Sequence, residues 1–167
     1  MSQLLPHAAR LRRLRDEFDR GFAEAARPEP AAGEALLWVI AGGERLAIPL
    51  REIAFVSAAA AVTPVAAAVR GFAGFTVAAG RVTPVYDLAV LLDLPGTTAE
   101  EPPLIFAATR QIAFAAGAIG GQVSRGPDAA DGAIVLAEGT AVRPVALDPL
   151  IQRIEAETRA AARRSRR

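Results

Sequence analysis

RVTPVYDLAVLLDLPG, residues 81–96, begins with the composition of a β-strand and ends with that of a short apolar helix. Val82 and Val85 suit a strand. Pro84 has no N–H for a sheet ladder, which predicts a position at a sheet edge or a barrel corner. Asp87 can accept hydrogen bonds from the first free N–H groups of the helix, so we expect it to be the N-cap. The segment therefore predicts a strand that turns directly into a helix.

A weaker copy of this segment, AVRPVALDPLIQRI, follows at residues 141–154. Pro144 takes the strand position and Asp148 is the predicted cap. Pro149 would then hold the first helical position, where a missing N–H costs nothing. Two such elements predict two similar small barrels in tandem. The first would use residues 35–96 and the second residues 102–150, each closed by a strand that turns into a helix.

The rest of the chain predicts a mainly β domain with helical ends. Short β-rich runs bounded by Gly, Pro or Asp are typical of a barrel or sandwich. Residues 35–43 and 44–50 predict a hairpin, and residues 120–132 predict a loop. Residues 2–26 have the apolar spacing of an amphipathic helix, which Pro28 and Pro30 would end. We therefore expect an N-terminal helix and linker over 1–29, the β domain over 30–157 with a helix after Asp148, and an Arg-rich tail over 158–167.

Composition excludes several classes of site. The 167 residues include no Cys and one His, His7, so disulfides, zinc-thiolate sites and His-dependent catalysis within the β domain are excluded. The formal charge is +1, from 19 basic and 18 acidic side chains, and this balance does not favour nucleic-acid or membrane-surface binding. We find no apolar run long enough to span a membrane and no signal peptide. We therefore expect a cytoplasmic protein with no cofactor, no metal and no membrane insertion.

An enzyme remains an alternative to examine. Asp87 and Asp148 are the two residues that a carboxylate-pair mechanism would use. Both fit the role of helix caps better. The Gly-rich segments at 42–49 and 120–127 lack the Lys-Ser/Thr that a phosphate-binding loop requires. We therefore predict no catalytic residues and no enzymatic activity.

Several segments between residues 35 and 155 resemble the CheW-like family, the adaptor module of bacterial chemosensory arrays. GFTVAAGRVTPVYDLAVLLDLP at 74–95 is similar to the central stretch of that family, and GERLAIPLREIAFV at 43–56 and VTPV at 62–65 are similar to the segments before it. PLIFAATRQIAFAAGAIGG at 103–121 and VRPVALDPLI at 142–151 fit the second half. The resemblance covers about residues 35–155. It implies two five-stranded SH3-like barrels around a shared core.

Two departures from the family pattern bear on the partners. Family members usually carry Arg where this chain has Ala79 and often Glu where it has Phe55, and these two side chains commonly pair across the first barrel. Losing one charge of a buried pair costs about 3–5 kcal/mol, whereas replacing both by apolar residues is often neutral. We therefore interpret Phe55 and Ala79 as a repacked site. Val77 replaces the Asn of the motif, and the second half departs from the pattern around Ala116 and Gly117.

The resemblance implies a non-catalytic scaffold for chemosensory signal transduction. Its partners would be a methyl-accepting chemoreceptor, a CheA-type histidine kinase and other CheW-like domains. The family's receptor tip docks between the two barrels. The matching positions are Ile53, Phe55, Gly74, Ala79, Gly80 and Ile119. Two alternatives stay open at these positions: the two glycines serve only turns, and Phe55 belongs to the core.

A second functional hypothesis is a diverged adaptor outside chemotaxis, in a pilus, biofilm or developmental pathway, or an array modifier. The missing motif Arg and the dilute second half favour it. Two smaller questions also stay open. The N-terminal helix either packs on the first barrel or docks on a partner, and the C-terminal arginines either end a helix or form an anion-binding patch.

Overall fold

The computed structural model describes residues 33–97, 99–125, 134–136 and 139–164. From Glu34 onward the chain forms one compact unit. It contains ten strands and two α-helices within the described residues, with a 3-10 turn at Leu50–Glu52. The strands are β1 (Glu34–Ala41), β2 (Glu44–Pro49), β3 (Ile53–Ser57), β4 (Phe72–Ala78), β5 (Arg81–Asp87), β6 (Leu104–Ala107), β7 (Ala113–Ala115), β8 (Ala118–Arg125), β9 (Ile134–Val135) and β10 (Ala141–Pro144). The helices are α1 (Leu88–Leu91) and α2 (Leu147–Arg164).

The strands form two five-stranded sheets. The first sheet has the order β8-β1-β2-β10-β9, and the second has the order β3-β6-β7-β5-β4. In each sheet the neighbours pair antiparallel except for one parallel pair, β2 with β10 in the first sheet and β5 with β7 in the second. The prediction of a mainly β domain with a C-terminal helix is therefore confirmed.

The two closed tandem barrels predicted from the sequence are not closed in the structure. The two sheets are open, because β8 and β9 end the first sheet and β3 and β4 end the second. Each sheet also takes strands from both halves of the chain, so the strands of residues 35–96 do not make one barrel by themselves. The chain crosses to the second sheet after β2, through the 3-10 turn, and returns at Gly117, whose N–H donates to the carbonyl of Ile40 in β1 at 2.8 Å. The physical reason is that, within each sheet, backbone N–H and C=O groups of strands from one half of the chain are paired by strands from the other half.

The repeat seen in the sequence corresponds to equivalent elements of the two sheets. Each half begins with a hairpin, β1–β2 or β6–β7. The next strand, β3 or β8, then pairs with the first hairpin strand of the other half. A final strand, β5 or β10, runs parallel to the second hairpin strand of the other half and leads into α1 or α2. The two copies of the strand-to-helix segment are thus exchanged between the sheets.

The two prolines of the repeat lie inside their sheets. Pro84 is in β5, which has β7 and β4 as neighbours, and Pro144 is in β10, which has β2 and β9. The edge or barrel corner predicted for Pro84 is therefore wrong for the strand as a whole, because β5 is an inner strand of an open sheet. Pairing of β5 with β7 begins only at Val85, and pairing of β10 with β9 covers Ala141 and Val142. Each proline therefore has a strand partner on one side alone.

The two predicted helix caps have different outcomes. Asp87 is the N-cap of α1, as predicted: its Oδ1 accepts from the N–H groups of Ala89 at 2.9 Å and Val90 at 3.2 Å. Asp148 is not a cap, because α2 already begins at Leu147. The N–H of Leu147 donates instead to the buried carboxylate of Glu52 at 2.5 Å. Pro149 is consequently the third helical residue and not the first.

Two loop predictions can be compared with the structure. The hairpin turning at 41–44 is confirmed, with Ala41 opposite Glu44 and positive φ at Gly42 and Gly43, as a tight two-residue turn requires. Residues 120–125 are wrongly predicted as loop, since they continue β8 and pair with β1. This strand is hard to recognise in the sequence because Gly120 lacks a side chain. The structure requires glycine at this position, because a Cβ there would stand 2.1 Å from the Trp38 ring. Residues 126–133 and the predicted N-terminal helix lie outside the described residues.

One core is shared by the two sheets and both helices. The largest apolar cluster joins Leu46 of the first sheet, Phe114 of the second, Leu88 of α1 and Ile151 of α2. Two smaller clusters lie within single sheets. The shared core expected from the family resemblance is thus present, and it fixes the second sheet relative to α2.

Candidate functional site

One ring of a stacked phenylalanine pair is exposed on the second sheet. Phe55 of β3 and Phe106 of β6 are partners in the antiparallel ladder. Their ring centroids are 4.1 Å apart, and the ring planes are inclined by 14°. Phe106 is buried, whereas 46% of Phe55 remains exposed. An aromatic side chain that keeps nearly half of its surface in water offers apolar area to another molecule.

A cleft of about 400 Å³ opens beside these rings. One wall is the turn between β4 and β5, which carries Ala79 with a φ of +49°, followed by Arg81. Another wall is the turn between β6 and β7, which carries Arg110 and Gln111. Gln111 Nε2 donates to the carbonyl of Val82 at 2.8 Å, and this bond ties the two walls together.

The rim of the cleft is positively charged. Arg110 donates through Nε to Glu155 Oε1 of α2 at 3.0 Å and through Nη1 to the Thr109 carbonyl at 2.9 Å. The hydrogen bond from Arg110 holds the pKa of the Glu155 carboxyl below its ordinary value, so this ion pair persists into mild acid. Arg81 makes no ion pair with any described residue. Among the residues that the structure describes, none of those lining the cleft is acidic.

The structure brings some of the predicted partner-binding residues together. Phe55 and Ala79 line the same cleft. Gly80 follows Ala79 in the turn with a φ of +73°, and the space where its Cβ would lie is open. Ile53 precedes Phe55 by two residues in β3 and is half-buried against the shared core. Positions 55 and 79 therefore line one cleft, together with Arg81 and Arg110.

Gly74 and Ile119 lie away from this cleft. Gly74 has a φ of +144°, and a Cβ there would stand 2.0 Å from the carbonyl oxygen of Thr63. The backbone that lies close to Gly74, where a Cβ would point, is therefore that of Thr63 and Pro64 in this same chain. Ile119 lies in β8 of the first sheet and is half-buried against the core. These two positions therefore do not line the cleft beside Phe55.

Four residues of the cleft are not predicted by any sequence pattern: Arg81, Phe106, Arg110 and Gln111. Phe106 has no sequence feature that distinguishes it from other strand residues, and only the pairing of β3 with β6 places it beside Phe55. The two polar residues of the β6–β7 turn stand between two apolar strands, which is ordinary for a turn. Only the parallel pairing of β5 with β7 places that turn beside Arg81.

Exposed apolar side chains are concentrated on the second sheet and the loop within it. Val77 and Val82 are directly opposite each other in the β4–β5 ladder, and 73% and 62% of their surfaces are exposed. A second cleft, of about 610 Å³, lies beside this pair and is lined mainly by residues 57–63 and β4. Among the described residues, the large apolar side chains that are at least 37% exposed are Phe55, Val56, Val65, Phe75, Val77 and Val82.

Asp87 and Asp148, the two residues of the carboxylate-pair alternative, both accept hydrogen bonds from neighbouring residues of the fold. Both oxygens of Asp87 are engaged by backbone, since Oδ2 accepts from the N–H of Thr97 at 2.6 Å. Asp148 Oδ1 accepts from Thr109 Oγ1 at 3.1 Å. In the part of the chain that the structure describes, no group of three or more acidic or His side chains could hold a metal ion. No helix among the described residues is long and apolar enough to cross a membrane.

Comparison with known proteins agrees with this architecture. The family model described as the CheW-like domain matches residues 35–153. The structure is similar to the crystal structure of the scaffolding protein TtCheW from Thermoanaerobacter tengcongensis, with a TM-score of 0.54 and 10% sequence identity over 69% of this chain and 91% of that chain. No curated protein matches the chain. Because the family model spans more than half of the sequence, the chain belongs to the CheW-like domain family.

Proposed function

We propose that this chain is a non-catalytic adaptor that couples a methyl-accepting chemoreceptor to a CheA-type histidine kinase in the cytoplasm. Membership of the CheW-like family supports this proposal, and the similar fold of a protein described as a scaffold is consistent with it. The observation on which it rests is the concentration of exposed apolar side chains on one sheet. Such patches on soluble domains mark surfaces that bind other proteins.

The proposed partner surface is the second sheet around Phe55, Ala79 and Gly80. We propose that Val77 and Val82 of β4 and β5, which lie beside the second cleft, also belong to the partner surface, because their exposure leaves them free to be covered by a partner. Further CheW-like domains are proposed as additional partners. Ile53, Gly74 and Ile119 were expected at partner contacts as well, and that expectation stays a prediction.

Reconstitution with a receptor and a kinase encoded near this chain tests the proposal. We expect the chain to bind the kinase and to make its autophosphorylation depend on the receptor. Val77→Glu places a charge on the second sheet at a position that is 73% exposed. It should therefore weaken kinase or receptor binding and leave the unfolding temperature unchanged.

Gln122→Glu is the matched control, because it adds the same charge at an exposed position of β8 in the first sheet. It should bind as the unmodified chain does. Equal loss of binding in the two variants would contradict the proposed surface. Failure to bind either partner would contradict the adaptor function itself.

A diverged adaptor is the second candidate. Phe55 and Ala79 stand where the family often has a Glu–Arg pair, and both line one open cleft. Kinase binding without any receptor-dependent change in autophosphorylation would favour this candidate, which would serve a pathway other than chemotaxis or modify an array.

A further inference from the structure

The cleft beside Phe55 combines an apolar floor with a cationic rim. Phe55 and Phe106 provide the stacked rings, and Ile112 adds a buried aliphatic side chain. Arg81 and Arg110 provide two guanidinium groups, of which that of Arg110 is paired with Glu155 of α2, and none of the described residues that line the cleft is acidic. A volume of about 400 Å³ is near the lower end of the range of protein ligand sites, roughly 300–1,000 Å³.

We propose that this cleft binds an aromatic side chain of a partner protein that is flanked by carboxylates. The exposed Phe55 ring offers a stacking surface, and aromatic pairs gain more than their buried area alone. Arg81 has no ion pair with any described residue, so a partner carboxylate beside it would meet no competing acid there. Arg110 is held in place by Glu155, and this bond keeps its guanidinium at the rim.

Charge complementarity selects this occupant over a purely apolar one. An apolar segment that covered the rim would remove Arg81 from water without giving it a partner, which is costly. A basic segment would meet the guanidinium group of Arg81, which has its own sign and no ion pair with a described residue. An acidic segment without an aromatic residue would leave the Phe55 ring uncovered. Only the combination of an aromatic ring and a flanking carboxylate satisfies both parts of the cleft.

Titration of the ¹⁵N-labelled full chain with short peptides tests this proposal. The probe is a five-residue peptide, blocked at both ends, with Phe between two Glu residues. We expect saturable chemical-shift changes at the backbone amides of Phe55, Ala79 and Gln111. A peptide with Ala in place of Phe should produce no saturable change there. A peptide with Gln in place of both Glu residues should bind about three- to five-fold more weakly, as the loss of exposed ion pairs predicts.

Two variants that each remove one positive charge distinguish binding at this cleft from non-specific electrostatic attraction to the chain. Arg81→Gln should weaken binding of the acidic peptide about three- to five-fold. Arg163→Gln removes the same charge from the exposed last turn of α2 and should leave the affinity unchanged. Ala79→Glu puts a carboxylate at the rim and should abolish binding. The proposal is overturned if Arg163→Gln weakens binding as much as Arg81→Gln, if the shifts lie elsewhere, or if the Phe peptide does not bind.

This inference deepens the proposed function, because Phe55 and Ala79 belong to the proposed partner surface. The titration requires neither kinase nor receptor, so the two proposals fail separately. Peptide binding with no kinase binding would remove the adaptor proposal alone. Kinase and receptor binding that Arg81→Gln and Ala79→Glu leave unchanged, together with no peptide binding, would remove the cleft proposal alone.

Discussion

At the residue scale, Glu52 holds together parts of the chain that are far apart in sequence. Its side chain is 8% exposed, and its carboxylate accepts from the N–H of Leu147 at the first residue of α2. Its backbone carbonyl accepts from the N–H of Ala108, in the turn that follows β6, at 2.9 Å. One residue of the 3-10 turn thus satisfies a helix N-terminus and fixes a wall of the cleft.

We expect Glu52→Ala to lower the free energy of unfolding by about 1–3 kcal/mol, because it leaves a buried N–H donor without an acceptor. Chemical denaturation measures this change. Glu52→Gln keeps one acceptor oxygen and should cost less than Glu52→Ala.

Asp148→Ala is the control that separates the two possible caps of α2. Asp148 lies in the first turn of the helix and interacts with its dipole, a contribution of about 0.3–1 kcal/mol. A larger loss for Asp148→Ala than for Glu52→Ala would contradict the assignment of Glu52 as the group that satisfies Leu147.

At the scale of elements, the open edge of β4 is partly covered by the loop that follows β3. Thr63 and Phe75 exchange two backbone hydrogen bonds, of 2.8 and 3.0 Å, and Thr76 Oγ1 donates to the carbonyl of Ala61 at 2.9 Å. The loop can come this close because Gly74 has no side chain. Covering an edge strand in this way limits unwanted pairing with other chains.

Gly74→Ala should therefore separate the loop from β4. The φ of +144° disfavours any side chain, and the added Cβ would overlap the Thr63 carbonyl. We expect a loss of stability of at least about 1–3 kcal/mol, the range for a strained backbone position, and faster hydrogen exchange at Thr63 and Phe75. Exchange measured by NMR together with denaturation checks both results.

Gly80→Ala is the matched variant. It also lies at a positive φ, but nothing occupies the space of its Cβ, so only the conformational cost of about 1–2 kcal/mol applies. Exchange at Thr63 should not change. If the two variants lost the same protection at Thr63, the close approach at Gly74 would not be what holds the loop.

At the scale of the whole molecule, the two halves of the chain are interleaved. β3 depends on β6, and β1 depends on β8, so neither half can complete its sheet alone. The core joins residues of both sheets and both helices. Folding therefore requires contacts between distant parts of the sequence, and these are formed at an entropic cost.

We expect fragments 30–97 and 99–167 to be unfolded when each is alone, because each lacks the strands that pair with its own. Mixed or co-expressed, they should form a folded complex. Circular dichroism, ¹H–¹⁵N spectra and co-purification with a tag on one fragment measure this. A cooperative unfolding transition of 30–97 by itself would contradict the interleaved arrangement and would support independent tandem barrels.

Much of the local structure follows from the sequence. Two β-rich runs separated by turn glycines predict the β1–β2 hairpin, and a carboxylate before an apolar helix predicts the cap at Asp87. The repeat at 81–96 and 141–154 predicts two equivalent elements, and the motif residues indicate the family. In these cases the determining interactions lie within a few residues, so a local pattern contains the information.

Only the tertiary structure decided which strands pair, what caps α2 and where the cleft lies. Leu147 and Glu52 are 95 residues apart, and the Phe55–Phe106 stack and the neighbourhood of Arg81 and Arg110 depend on ladders between the two halves. A strand pattern specifies which face is buried and leaves the neighbour unspecified. The choice of neighbour is made by the burial of one common core, which no local segment of the sequence contains.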